Sequence, residues 1–200
     1  MYIPQYYKQT DLSEIKNFLI QHSFGILVNQ VEGKPWATHI PLELDKDKNG
    51  KDILIGHISR ANPQAKNLEL IDNVLCIFNG PHAYISSSWY KEEEVPTWNY
   101  IAVHIYGKLQ ILTEEEVMAS LYKLVDKYEK NSKKPISLND MSEKTLRQVK
   151  GVVGFQISID EIQATYKLSQ TRPEDQSKII SELEKTNETN ALKIAKAMKK

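Results

Sequence analysis

The sequence predicts an α+β chain with an antiparallel sheet or barrel at its centre. Runs of strand character recur between residues 24 and 112, separated by turn chemistry. Helical periodicity gathers mainly towards the chain ends, and no regular strand–helix–strand alternation appears, which argues against a parallel nucleotide-binding sheet. Of the 200 residues only Cys76 is a cysteine, so the core forms by apolar burial without a disulfide.

The elements follow in order. Leu12, Ile15, Phe18 and Leu19 recur at helical spacing, and Thr10 or Asp11 caps a helix from about 11 to 22. "FGILVNQ" reads as a strand. "KPWATHIPLEL" follows, with Trp36, Thr38, Ile40, Leu42 and Leu44 on one face. Asn49-Gly50 is a hairpin turn leading to "ILIGHIS". "NPQAKNLEL" is a short helix or turn, and "VLCIFNG" is a buried strand holding Cys76 as a core residue. Gly80-Pro81 predicts a turn, and Ala83–Tyr90 a further strand with the serines 86–88 in it. "TWNYIAVHIYGKLQIL" is the longest strand signal. Thr113 and Glu116 form a capping box for a helix to about 129. A weaker helix spans about 138–150, and a strand spans 152–168. Thr171 with Glu174 predicts the cap of a helix carrying Ile179, Ile180 and Leu183. A last helix carries Ala191, Ile194, Ala195 and Met198.

Lysine plus arginine equals aspartate plus glutamate at 26 each, so no large basic footprint for nucleic acid is present. The N-terminus lacks a basic stretch followed by an apolar one, and no apolar run approaches the roughly 20 residues a membrane helix needs. A cytoplasmic protein without a membrane partner is expected.

Polar residues collect in three places. "THIP" places Thr38 and His39 inside a strand. "GHISRANPQ" contributes His57, Ser59, Arg60, Asn62 and Gln64. The third comprises "GPHAYISSSWY" and "VPTWNY", with Ser87 and Trp98. Ser59 and Arg60 suit an anion, since a hydroxyl and a planar guanidinium fork match phosphate oxygens. Free backbone N–H groups of "ANPQ" are expected to assist. The alternative is a capped turn with Arg60 ion-paired at the surface. His39, His57, His82 and His104 all lie in the β region, but no zinc-binding spacing occurs among them, and no metal is expected. No nucleophile elbow surrounds the serines. Trp89, Tyr90, Trp98 and Tyr100 fit either core packing or a flat π-rich ligand such as flavin or haem.

"MYIP", "HISRANPQ", "FNGPHAYISSSWY", "VPTWNY" and "KLSQTRPEDQ", in that order, resemble the PaiB-like proteins, FMN-binding negative transcriptional regulators of the flavin split-barrel superfamily. The resemblance runs from Met1 to about Leu183. It implies a six-stranded antiparallel split β-barrel with peripheral and C-terminal helices, forming a homodimer with FMN in a cleft between protomers. It divides the chain into a split-barrel domain, 1–185, with helical insertions, and a C-terminal helical extension, 186–200. It implies binding roles for Thr38, His39, His57, Ser59, Arg60 and Asn62, with Ser87 and Trp98 lining the cleft or dimer seam. Lys167, Gln170 or Arg172 is then expected beside the cleft containing Ser59 and Arg60, with Thr171 capping the helix that follows; the alternative is that Lys167 and Arg172 pair with surface carboxylates such as Glu174 and Asp175. The FMN phosphate would meet one permanent positive charge on the two phosphate strands. The implied function is repression on DNA, directly or through a partner. No clear helix-turn-helix occurs, and Lys193, Lys196 and Lys200 share a side of the last helix, which suits either phosphates or solvent. A flavin-dependent oxidoreductase and a haem-binding split barrel are the competing functions.

Overall fold

In the computed structural model, residues 1–70 and 73–199 are described. Six strands lie in the ring order β1-β2-β3-β6-β5-β4, the antiparallel arrangement of a split barrel. They are β1 (Phe24–Val31), β2 (Lys34–Lys46), β3 (Asp52–Ser59), β4 (Val74–Ile85), β5 (Thr97–Ile111) and β6 (Val152–Lys167). The helices are α1 (Leu12–Gln21), α2 (Glu114–Glu129), α3 (Glu143–Leu146), α4 (Gln176–Lys185) and α5 (Thr189–Met198). The expected α+β split barrel is therefore what the chain forms. Two compact units share the long strands: residues 1–22, 77–104 and 162–200 form one, and residues 23–76 and 105–161 the other. No described helix is long and apolar enough to cross a membrane.

In the second unit, β2 and β3 pair with Leu42 opposite Gly56, and β3 and β6 pair with Gly56 opposite Phe155. Leu27, Leu42, Leu54, Ile58, Ile105, Phe155 and Ile157 fill its interior. The capping box at Thr113 starts α2, as its sequence requires. Two turns of α2 are tied to alternate residues of β2: Lys123 to Asp45 at 2.6 Å, and Lys127 to Glu43. The Tyr128 hydroxyl joins them, within 2.8 Å of Glu43 and 2.6 Å of Ser23. The helix comes so close to β6 that a Cβ on Gly154 would stand 2.5 Å from Val117 Cγ2.

The first unit is built on α1, parts of β4 and β5, the end of β6, and the C-terminal helices. Asp11 caps α1 by accepting from Ser13 and Glu14 N–H groups. Ala83, Ile85 and Tyr90 share one core with Ile179 and Leu183 of α4 and with Ala191, Ile194, Ala195 and Met198 of α5. Lys193 and Lys196 are exposed, and Lys200 lies outside the described residues.

Four local expectations are corrected. Gly80-Pro81 is not a turn, because β4 runs unbroken from Val74 to Ile85. Gly80 serves close packing: a Cβ there would stand 2.6 Å from Phe18 Cε2. The strand then ends at Ile85, and Ser87–Trp89 form a 3-10 turn, so no strand spans 83–90. Ser86 caps that turn by accepting from Ser88 N–H at 3.3 Å. The helix expected over 138–150 is three pieces: a 3-10 turn at Leu138–Asp140, α3, and a 3-10 turn at Arg147–Gly151. Ser137 and Ser142 each cap a new start there. Finally, Thr171 does not cap α4. That helix begins at Gln176, and the Asp175 carboxylate before it accepts from Lys91 N–H at 2.8 Å.

Candidate functional site

The turn after β3 carries most of the polar residues singled out from the sequence. The Arg60 guanidinium lies against the start of β6. Its Nε donates to the Lys150 carbonyl and its Nη2 to the Val152 carbonyl, both at 3.1 Å. Among the described residues Arg60 has no carboxylate ion-paired to it, so its charge is held in place but not neutralised. Arg60 also lines a cavity of about 350 Å³ with Lys66, Lys150 and Glu114 over the apolar side chains of Val117, Met118 and Val149.

The backbone N–H groups of this turn are not the free donors expected of it. Those of Arg60, Asn62 and Ala65 donate to Gly151, Ser59 and Asn62 carbonyls. Those of Ala61 and Gln64 donate to the Ser59 hydroxyl and the Asn62 amide oxygen. The remaining donors are side chains: the Ser59 hydroxyl, the Arg60 guanidinium and the Asn62 amide.

Thr38 joins this turn from β2. Asn62 Nδ2 donates to Thr38 Oγ1 at 2.9 Å, and Thr38 Oγ1 donates to Gln64 Oε1 at 2.6 Å. Gln64 is fully buried and donates from Nε2 to Asn29 Oδ1 at 2.9 Å and to the Leu27 carbonyl at 3.3 Å. Asn29 was missed as part of this group. Its signal was present in β1, where Gly25, Leu27, Asn29 and Val31 alternate inward and only Asn29 is polar.

His39 is exposed on β2 and stands 6.5 Å, ring to ring, from Phe24. His57 faces another cavity, of about 280 Å³, lined also by Glu43, Asp45, Ser120, Lys123 and Lys127. Burial there pushes its imidazole below the usual value of 6.5 and so favours the neutral ring. Cys76 is buried, and burial pushes its thiol up to about 12, so it is unreactive in the folded protein.

The other candidates belong to the first unit. Ser87 is exposed in the 3-10 turn, and Trp98 is exposed on β5. Trp98 collects rings from β4, with His82 at 5.8 Å and Tyr84 at 5.9 Å. Lys167 donates to the Thr97 hydroxyl, and its ammonium lies 5.8 Å from the centre of the Tyr7 ring. Gln170 folds back on its own turn, accepting from Leu168 N–H at 2.7 Å and donating to the Tyr166 carbonyl. Arg172 is ion-paired with Glu94, a carboxylate that its local sequence did not single out.

A six-stranded antiparallel split barrel with flanking helices is the fold of the flavin-binding split-barrel class. The chain belongs to the family described as "Putative FMN-binding domain", whose model matches residues 1–161, and within it to the PaiB-like group that its motifs indicated. It is 46% identical over 200 residues to "Protease synthase and sporulation protein PAI 2" of Bacillus subtilis, across 99% of this chain and 96% of that protein. Two solved structures share the fold. One is the FAD and heme binding protein from Mycobacterium smegmatis, with a TM-score of 0.63 and 13% identity over 80% of this chain and 73% of that one. The other is the flavocytochrome Anf3 from Azotobacter vinelandii, with a TM-score of 0.59 and 17% identity over 82% and 72%.

The residues at the turn fit an FMN phosphate. A dianion needs donors and a cation, and Ser59, Arg60 and Asn62 offer both without an intervening carboxylate partner on Arg60.

Proposed function

We propose that this chain is an FMN-binding regulatory protein that holds the cofactor by its phosphate at the turn after β3. The observation that carries the proposal is Arg60, fixed by two backbone carbonyls yet lacking an ion-paired carboxylate among the described residues. A guanidinium held this way has its reorganisation already met and its charge available for an anion. Ser59 and Asn62, which share its turn, supply neutral donors. Membership of an FMN-binding family and the PAI 2 relative support a regulatory role with flavin as its ligand. FMN, when bound, contributes a redox-active ring.

The working form in this reading is a cytoplasmic homodimer that represses transcription on DNA, directly or through a partner. The exposed ring cluster of His82, Tyr84 and Trp98 supports a self-association surface, because apolar patches of that kind usually mark an interface. His39, Ser87, Lys167, Gln170 and Arg172 remain proposed contacts of the bound flavin or of the dimer seam.

Protein purified without added cofactor is expected to show the visible bands of bound flavin. Free protein titrated with FMN, followed by flavin fluorescence, is expected to bind roughly tenfold to a hundredfold more weakly after Arg60→Ala. Equal affinity in the variant would place the phosphate elsewhere. A Soret band in place of flavin bands would favour a haem protein.

A further inference from the structure

We infer that Gln64 is a positioning residue that fixes the direction of the hydrogen bonds beneath the phosphate turn, and that Asn62, not Thr38, joins Ser59 as a neutral donor presented to the phosphate. The inference rests on the FMN reading above and specifies which groups carry it.

The direction follows from one backbone carbonyl. The Leu27 carbonyl can only accept, so the end of the Gln64 amide facing it at 3.3 Å must be the NH₂ end. Gln64 Oε1 is therefore the end that faces Thr38. An amide oxygen can only accept, so the single O–H of Thr38 must donate to it, over 2.6 Å. Thr38 Oγ1 then offers only lone pairs, and it accepts from Asn62 Nδ2 at 2.9 Å. The Asn62 oxygen is fixed independently, because it accepts from Gln64 N–H at 2.9 Å.

Each link leaves the next no choice. Thr38, whose hydroxyl matched a phosphate by residue type, has no proton left to donate. Asn62 uses one of its two amide N–H groups on Thr38, and the other is unbonded among the described residues. With the backbone N–H groups of the turn engaged internally, that amide proton joins Arg60 and the Ser59 hydroxyl as the donor set. Gln64 itself is fully buried, so it acts through Asn62 and cannot touch a ligand. Asn29, also buried, ends the relay with its Nδ2 unpaired among the described residues.

The test compares FMN with riboflavin, which lacks only the phosphate, by fluorescence titration of the full chain. Wild type is expected to prefer FMN. Gln64→Met keeps the length of the side chain and removes its hydrogen bonds. It is expected to weaken FMN about tenfold while moving riboflavin less than about twofold. Asn62→Asp, which turns an acceptor towards the phosphate, is expected to weaken FMN at least as much. Equal weakening of both ligands by Gln64→Met would mark a merely structural residue and overturn the inference. So would unchanged or tighter FMN binding, since a released Thr38 hydroxyl would then be the true donor. Should Gln64→Met fail to fold, Thr38→Val breaks the same relay at a half-buried position. It is expected to give the same selective loss, with recovery in Thr38→Ser, and an unchanged preference for FMN would overturn the inference. Arg60→Ala separates the two levels. If it lowers the preference while the Gln64 and Thr38 variants do not, the phosphate site stands and the role of Gln64 falls. If it leaves the preference intact, both fall.

Discussion

Arg60 and His57 lie three positions apart in sequence and face opposite demands. The Arg60 guanidinium lies at the surface, steadied by two backbone carbonyls. His57 is driven to neutrality because burial disfavours the imidazolium. The folded-state pKa of His57 thus lies below its unfolded value of about 6.5. Between those two values the unfolded chain binds the proton more tightly, so stability is fully present above the unfolded value and falls as the pH drops through the window. His22 and His104 move in the same direction through burial, aided by Lys193 and by the N-terminal ammonium respectively. Melting temperatures are therefore expected to fall on acidification from neutral pH, and His57→Gln is expected to flatten that fall without abolishing it. An identical slope in the variant would show that the ring is solvated in the folded protein. At this scale the sequence was informative about residue types and silent about their directions. Ser59, Arg60 and Asn62 were singled out by their chemistry, and the fold places all three at the end of β3 and in the turn after it. Thr38 has the same chemistry, but its proton is committed to a glutamine 26 positions away, which no local pattern reveals.

At the scale of elements, α2 is held by its fit to β6 and by ionic ties to β2. Gly154→Ala is expected to cost about 1–3 kcal/mol, because the new methyl would stand 2.5 Å from Val117 Cγ2. Val117→Ala should restore part of that loss in the double variant, as chemical denaturation of the four proteins would show. The ties of Lys123 and Lys127 are partly exposed and should each contribute less than about 1 kcal/mol. Most elements were legible because their signals are local: the Asp11 cap, the Thr113 box and the strand alternation all act within a few residues. The misreadings share a different cause. Gly80-Pro81 has turn composition, yet that glycine makes room for Phe18, which is 62 positions earlier in the chain. Thr171-x-x-Glu174 has the form of a capping box, yet the start of α4 is set beside Asp175 and its bond to Lys91. In both cases a tertiary contact overrode a short motif.

For the whole molecule, the C-terminal helices are part of a core. A chain ending at Thr186 would lose Ala191, Ile194, Ala195 and Met198 from the cluster around Ile179 and Leu183. Burial of the isoleucine and methionine alone contributes about 3–6 kcal/mol, a large share of a typical domain's stability. The truncated chain is expected to melt well below the full one or to aggregate, as thermal denaturation would show. Sedimentation of the intact protein at micromolar concentration is expected to give twice the chain mass of 23.0 kDa, and Trp98→Glu in the exposed ring cluster should shift it towards the monomer. The clamp on Arg60 has a further consequence in time. The carbonyls it rests on lie 90 and 92 positions further along the chain. During synthesis the anchoring cation is made early, but its support arrives only after α2 and the start of β6 have emerged and docked. Such a site is assembled late and dismantled early, since any opening of the β3–β6 pairing removes its floor. A cofactor captured there would select molecules whose strands have already met, making flavin a ligand that slows local opening and proteolysis around residues 60 and 150.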